Sequence, residues 1–337
     1  MAEKWRRVGL IVNPVAGNGA SESLIAARKV IERCGAQQVA TGRGQTGELA
    51  LAGWPGQAQI HDVKKTAGNQ TRALARWITA QKLDARIVVG GDGTLSDAAI
   101  EVGSNLQIIG IGTGSTNVGR LITCGASRVE ELNFSEVETW KVDALIAFVN
   151  DDLAGMAFND VVIGTTIVGT IDGQRCDLSA AERMQGKIAA AHPRPVGSRN
   201  TKVTRISGKT QTLVAQGESV GTVIAGFAEP AFFGKAITGG ICLATLMGLP
   251  AGCLVCNLPL AQVGMTAESL MNAAPAVSRY VNLAEGTSIV VENVASDAVL
   301  CVDGNPMLSL KPADRVSITV RTEAVLGVRS IKDLRSS

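Results

Sequence analysis

The stretch Arg86-Ile87-Val88-Val89-Gly90-Gly91-Asp92-Gly93-Thr94-Leu95 decides how the chain folds. Arg86–Val89 reads as a buried strand, being short, apolar and β-branched. Leu95–Val102 reads as a helix. A strand that runs through glycines into a helix is the repeating unit of a parallel α/β sheet. Gly90, Gly91 and Gly93 leave backbone N–H groups unobstructed toward a ligand. The helix that follows favours an anion at its start. A carboxylate among anion-binding amides is out of place unless it has a task. Asp92 then either accepts a proton from an attacking hydroxyl or helps hold Mg²⁺. The chemically silent alternative is a plain Asp-Gly turn.

Outward from this stretch the alternation continues. Arg7–Asn13 is a strand ended by Pro14, and Ser21–Cys34 is a helix with Leu24, Ala27, Ile31 and Cys34 on one side and Gly35 as its stop. Thr66–Lys82 is a second helix, and Leu106–Ile111 is another buried strand. The pattern predicts an α/β N-terminal domain, a parallel sheet with helices on both faces, over residues 1–120. Such sheets bind ligands at the carboxyl ends of their strands, where the glycines fall.

Beyond residue 120 strand signals dominate: Ala157–Gly164, Lys202–Ile206, Gln211–Ala215, Val220–Phe227, Ser288–Glu292, Val299–Asp303 and Arg315–Val320. They predict a β-rich C-terminal domain over 121–323, with 324–337 as a tail returning to the first domain. Two helices are expected inside it, one at the capping box Ser179-x-x-Glu182 and one over Ala267–Tyr280.

Composition narrows the function. Among 337 residues 46% are apolar and 18% charged, which suits a packed core and excludes a disordered chain. The net charge of +2 argues against a nucleic-acid binder, and 3% aromatics leave no base-stacking platform. Seven cysteines, spread from Cys34 to Cys301, do not form a secreted disulfide framework. No signal-peptide core precedes the first strand, so a cytoplasmic protein is expected. Ala236–Ala267 carries no charge, but Pro250 and Pro259 interrupt it and Asn257 sits inside it. Buried strands and turns fit it better than a membrane span.

Four segments, in order, resemble the NAD kinase and diacylglycerol kinase superfamily. They are Asn13-Pro14-Val15-Ala16-Gly17, Gly90-Gly91-Asp92-Gly93-Thr94, Gly112-Thr113-Gly114-Ser115-Thr116-Asn117 and Phe158-Asn159-Asp160-Val161-Val162-Ile163. The subgroup most similar is the acetoin catabolism protein X type, described as an ATP-NAD kinase. The resemblance implies an α/β domain followed by a β-rich domain, with the site in the cleft between them. It implies phosphoryl transfer from ATP or polyphosphate to an alcohol, in NAD kinases the 2′-hydroxyl of the adenosine ribose, with Mg²⁺ or Mn²⁺ as cofactor. It implies Asp92 as proton acceptor. Asn13, Gly17, Gly90, Gly91, Gly93, Thr94, Gly112, Gly114, Ser115, Thr116 and Asn117 become the phosphate cradle. Asn159 and Asp160 become contacts to the acceptor nucleotide. It implies a homo-oligomer, and no metal ligand can be named from it.

The chain departs from NAD kinases where they carry a Thr-Gly-Ser-Thr-Ala-Tyr-like loop. The corresponding Gly234-Lys235-Ala236-Ile237-Thr238-Gly239-Gly240 has neither the tyrosine nor the serine-threonine pair. A lipid kinase of the diacylglycerol branch and a non-catalytic nucleotide-binding regulator therefore stand beside NAD phosphorylation. Weaker patterns add little. Gly42-Arg43-Gly44-Gln45-Thr46-Gly47 matches G-x-G-x-x-G, but Gln37–Thr41 before it is a poor buried strand. Cys253-x-x-Cys256 has no second pair and reads as packing. Val302-Asp303-Gly304-Asn305 resembles a turn of both kinase branches and reads as structural.

Overall fold

In the computed structural model the described residues are 5–17, 19–63, 69–101, 106–113, 119–172, 174–227, 243–259, 267–272 and 276–331. The chain divides into two compact units, Met1–Ala144 with Glu323–Ser337, and Leu145–Thr322. It runs β1 (Arg7–Val12), α1 (Ala20–Arg33), β2 (Gln38–Gly42), β3 (Gln57–His61), α2 (Gln70–Thr79), β4 (Ala85–Gly90), α3 (Asp92–Ala99), β5 (Gln107–Gly112) and β6 (Ile122–Gly125). The chain enters the second unit inside β7 (Val137–Val149).

There it continues through β8 (Asp152–Ala157), β9 (Asp160–Gly164), β10 (Thr166–Ile171), β11 (Gln174–Ser179), α4 (Ala180–Met184), β12 (Lys202–Ser207), β13 (Thr210–Gln216) and β14 (Thr222–Phe227). Next come α5 (Leu243–Leu246), β15 (Ala251–Cys256), α6 (Ala267–Asn272), β16 (Ser278–Leu283), β17 (Thr287–Glu292), β18 (Val299–Val302) and β19 (Asn305–Ser309). The chain returns to the first unit inside β20 (Arg315–Ser330).

The first unit is a parallel sheet in the order β5-β4-β1-β2-β3, with β6 and the end of β20 pairing along the free side of β5. Val8, Leu10 and Val12 of β1, with Ile87 and Val89 of β4, share one core with Ala26, Ala27, Val30 and Ile31 of α1. On the opposite face glycines replace side chains, so the other helices approach closely. A Cβ on Gly9 would strike Ile78 of α2, and one on Gly110 would strike Leu95 of α3. Helices therefore cover both faces. Residues 121–144 also join this unit rather than the β-rich one. Their β6 extends the parallel sheet, and Val129, Leu132 and Val137 enter its core.

The second unit is β-rich and antiparallel. One sheet runs β16-β15-β14-β9-β18-β19. In it Val161, Ile163, Val223, Ala225, Phe227, Cys253 and Leu300 alternate onto a single core. Val203 of β12, Ile289 and Val291 of β17, and Val316 and Ile318 of β20 complete that core from strands paired in the order β12-β17-β20.

Several boundaries differ from expectation. The helix expected from Leu95 begins at Asp92, because Gly91 is its N-cap. The strand expected over Ala157–Gly164 is two strands, β8 and β9, with a bend at Phe158-Asn159. The helix expected over Ala267–Tyr280 ends at Asn272. Ser278–Leu283 is instead a strand paired with β15. Of Gln37–Thr41, read as a poor strand, Gln38–Thr41 lie in β2, where Val39–Gly42 are buried. Residues 236–242 and 260–266 of the uncharged stretch lie outside the described residues, and its described part contains the buried strand β15. No described helix is long and apolar enough to cross a membrane.

Candidate active site

Three strand ends of the first unit stand side by side, because parallel pairing brings their carboxyl ends to one level. Val12 is in register with Val89, and Gly90 with Gly112. The loops beyond them are tied to the same strands. Asn13 N donates to Val89 O at 2.9 Å, and Thr113 N donates to Gly90 O at 3.1 Å. Asn13, Gly90, Gly91, Asp92, Gly93, Thr94 and Gly112 thus belong to one crown. Gly114, Ser115, Thr116 and Asn117 lie outside the described residues.

Side chains lock the crown. Asn13 Nδ2 donates to Thr94 Oγ1 at 2.8 Å, and Asn13 Oδ1 accepts from Val15 N at 3.1 Å. Gly17 has φ +60, and a Cβ there would lie 1.8 Å from the carbonyl oxygen of Thr113. Glycine is required at that position both for the left-handed backbone and for the close approach. The first and third glycine-bearing loops therefore touch at Gly17 and Thr113.

The crown offers N–H groups. α1 starts at Gly19 and α3 at Gly91, and neither cap residue supplies a side-chain hydrogen bond. Both helix starts therefore present donors and a positive dipole end beyond the sheet. Thr113 is 6% exposed, and its hydroxyl has no partner among the described residues. Asp92 is half-buried in the first turn of α3, and its carbonyl oxygen accepts from Ser96 Oγ at 3.1 Å. The other carboxylate of α3, Asp97, is 6% exposed and engaged by Arg72 Nε at 2.9 Å and by Asn69. Asp97 laces α3 to α2, so Asp92 is the acid of this helix that the crown carries.

Beneath the crown lies Arg86, fully buried in β4. Its guanidinium donates to Ala98 O at 2.6 Å, to Ala75 O at 2.9 Å and to the Thr79 hydroxyl. It ties the carbonyl ends of α2 and α3 to the strand that carries the glycines. Burial pushes its pKa down to about 10, while the Glu101 carboxylate opposes that, so it stays a cation near neutrality. Nothing in the glycine-rich motifs points to Arg86. The available signal was an arginine opening an otherwise apolar strand.

Asn159 and Asp160 belong to the second unit, at the bend before β9 and at its first residue. The Gly42–Gly47 loop is closed on itself. Thr46 Oγ1 donates to Arg43 O, and Glu48 accepts from Gly44 N. Cys253 and Cys256 are fully buried, as a packing role requires. No group of three His, Cys, Asp or Glu side chains able to hold a metal occurs among the described residues.

This crown falls inside a recognised domain. Residues 7–125 match the diacylglycerol kinase catalytic domain, from the start of β1 to the end of β6. The resemblance to the NAD kinase and diacylglycerol kinase superfamily is thus matched over residues 7–125, where the first unit is similar to a kinase-type catalytic domain. An uncharacterised protein of Archaeoglobus fulgidus is 28% identical over 312 residues, covering 89% of this chain and 92% of that protein. The crystal structure of yeast NADH kinase complexed with NADH aligns with 96% of this chain and 83% of its own. Its TM-score is 0.51 at 12% identity, a likeness of fold.

Proposed function

We propose that this chain transfers the terminal phosphoryl group of ATP, or of polyphosphate, to a hydroxyl of a nucleotide, with the 2′-hydroxyl of NAD as acceptor. The observation that carries the reading is Asp92 in the first turn of α3, among strand ends whose helices start without side-chain caps. Amides of that kind suit donor phosphates, and an acid among them suits proton removal. Asn13, Gly17, Gly90, Gly91, Gly93, Thr94 and Gly112 would form the cradle, joined by Gly114–Asn117. Asn159 and Asp160 would contact the acceptor.

Asp92 takes the proton of the acceptor hydroxyl. The hydroxyl oxygen bonds to the terminal phosphorus, the bond to the bridging oxygen breaks, and ADP leaves with the electron pair. Asp92 then returns the proton to solvent. A single carboxylate fits a Mg²⁺ that arrives on the triphosphate, since that ion keeps phosphate and water ligands and needs few from protein. Bound there, the ion would supply charge neutralisation and would keep phosphate and water oxygens as its ligands, while Asp92 serves as the proton acceptor.

The test is transfer from Mg·ATP to NAD by the wild type and by Asp92→Asn. The variant should lose about 10²- to 10⁴-fold in rate with its melting temperature unchanged. Equal rates would remove Asp92 from the chemistry. The diacylglycerol kinase match over residues 7–125 favours a second reading, a lipid alcohol as acceptor. Diacylglycerol in mixed micelles belongs in the same assay.

A further inference from the structure

The second unit holds a carboxylate in an unusual setting. Asp303 and Gly304 link β18 to β19, with φ of +47 and +73 and Val302 in register with Asn305. That is a two-residue hairpin turn of the type Asp-Gly favours. The side chain does more than close the turn. Asp303 Oδ2 accepts from Phe158 N at 2.9 Å, and Oδ1 accepts from Asn159 N at 2.8 Å and Asp160 N at 3.1 Å. Three consecutive amides thus converge on one carboxylate, an anion-holding nest.

The carbonyls of the same bend are tied as well. Asp160 O accepts from Asp303 N at 3.0 Å, and Asn159 O accepts from Phe227 N at 3.0 Å. Both backbone groups of Asn159 and of Asp160 are therefore fixed, which sets the direction in which their side chains leave the chain. Phe227 ends β14, so the bend is pinned between two neighbouring strands of one sheet.

We infer that Asp303 is a positioning residue. Its ionised carboxylate sets the Phe158–Asp160 backbone and so aims the side chains of Asn159 and Asp160 at the acceptor, an inference that rests on the proposed role of that pair. The turn alone does not call for a charge, since asparagine adopts the same left-handed backbone. The three amides do, because hydrogen bonds to an ionised acceptor are about twice as strong as neutral ones. Asn at 303 keeps the turn but replaces one acceptor oxygen with an amino group facing amides.

The experiment compares wild type, Asp303→Asn, Gly304→Ala and Asn159→Ala with Mg·ATP and NAD, together with amide hydrogen exchange. Asp303→Asn should raise the KM for NAD about tenfold while kcat and the KM for ATP stay within about twofold, and should speed exchange at 158–160. Gly304→Ala strains the same turn and should lower the melting temperature without moving the NAD KM. If Asn159→Ala raises the NAD KM and Asp303→Asn does not, Asp303 only closes a turn and the inference is overturned. Unchanged exchange at 158–160 in Asp303→Asn overturns it whatever the activity. If exchange quickens but neither variant moves the NAD KM, the positioning stands and the acceptor role of Asn159 falls.

Discussion

Asn13 Nδ2 donates to Thr94 Oγ1 across 2.8 Å, joining residues 81 positions apart. The bond clamps the loop beyond β1 to the first turn of α3, the turn that carries Asp92. Thr94 is buried, so breaking the bond leaves a polar group without water to replace it. Thr94→Val should cost about 1 kcal/mol, read from urea denaturation, by the usual net worth of such a bond. Asn13→Ala also loses the turn to Val15 N and should cost more, about 1–2 kcal/mol. Both should weaken ATP binding more than they weaken binding of the acceptor.

Two glycines of the crown should behave in opposite ways. At Gly17 an added methyl meets the Thr113 carbonyl in a left-handed backbone, so Gly17→Ala must displace one loop or the other. Its melting temperature should fall, and activity with it. At Gly91 an added methyl meets nothing within 4 Å, and φ is −86. Gly91→Ala should therefore fold, losing only the roughly 1 kcal/mol or less that alanine costs at a helix N-cap. If donor phosphates lie over that open space, its ATP affinity should still drop, which isothermal titration would read. Equal ATP affinity in wild type and Gly91→Ala would mean the phosphates lie elsewhere.

Arg86→Met should destabilise the chain by about 3 kcal/mol. It removes a buried cation that satisfies carbonyls of α2 and α3, and hydrogen bonds to charged groups are worth more than neutral ones. Arg86→Lys keeps a charge but cannot reach Ala98, Ala75 and Thr79 together, and should recover only part of the loss. Chemical denaturation with both variants gives the order.

The thiols make an alkaline prediction. Burial raises Cys34 to about 11 and Cys253 to about 12; it also raises Cys301 to about 12, with the negative charge of Asp160 adding to the effect. A thiol whose folded pKa exceeds its unfolded value of about 9 stabilises the fold below pH 9 and stops doing so as pH rises through the folded value. Stability should fall between about pH 9 and pH 12, at roughly 1.4 kcal/mol per pH unit for each thiol in its window. Native protein at pH 8 should not react at these positions with iodoacetamide, and urea-unfolded protein should.

The legible parts of the chain were those where local chemistry and tertiary role coincide. Ile87–Val89 and Ile108–Ile111 announce buried parallel strands, and the glycines between strand and helix mark the crown. The N-cap half of the capping box is realised, with Ser179 Oγ accepting from Glu182 N at 3.3 Å, while Ser179 N donates to Ala189 O. Hidden parts depend on distant partners. β2 is built from Val39, Ala40, Thr41 and Gly42, and its small residues make sense only against helix α2, whose Leu74 reaches Gly42. The nest around Asp303 joins residues about 145 positions apart, and no local pattern forecasts it. Arg86 is of the same kind, a charge made tolerable by helix ends that sequence spacing does not reveal.

The β20 strand has a consequence for how the polypeptide is made. Leu326 and Gly327 pair with Gln107 and Ile108, Val328 O receives Thr123 Oγ1, and Ile331 N binds Glu136 O. A ribosome emits β1 through β6 early, yet the segment that finishes their sheet emerges some two hundred residues later. Until then the nascent sheet waits with one flank incomplete, so completion of the first unit is timed by β20 rather than by its opening strands.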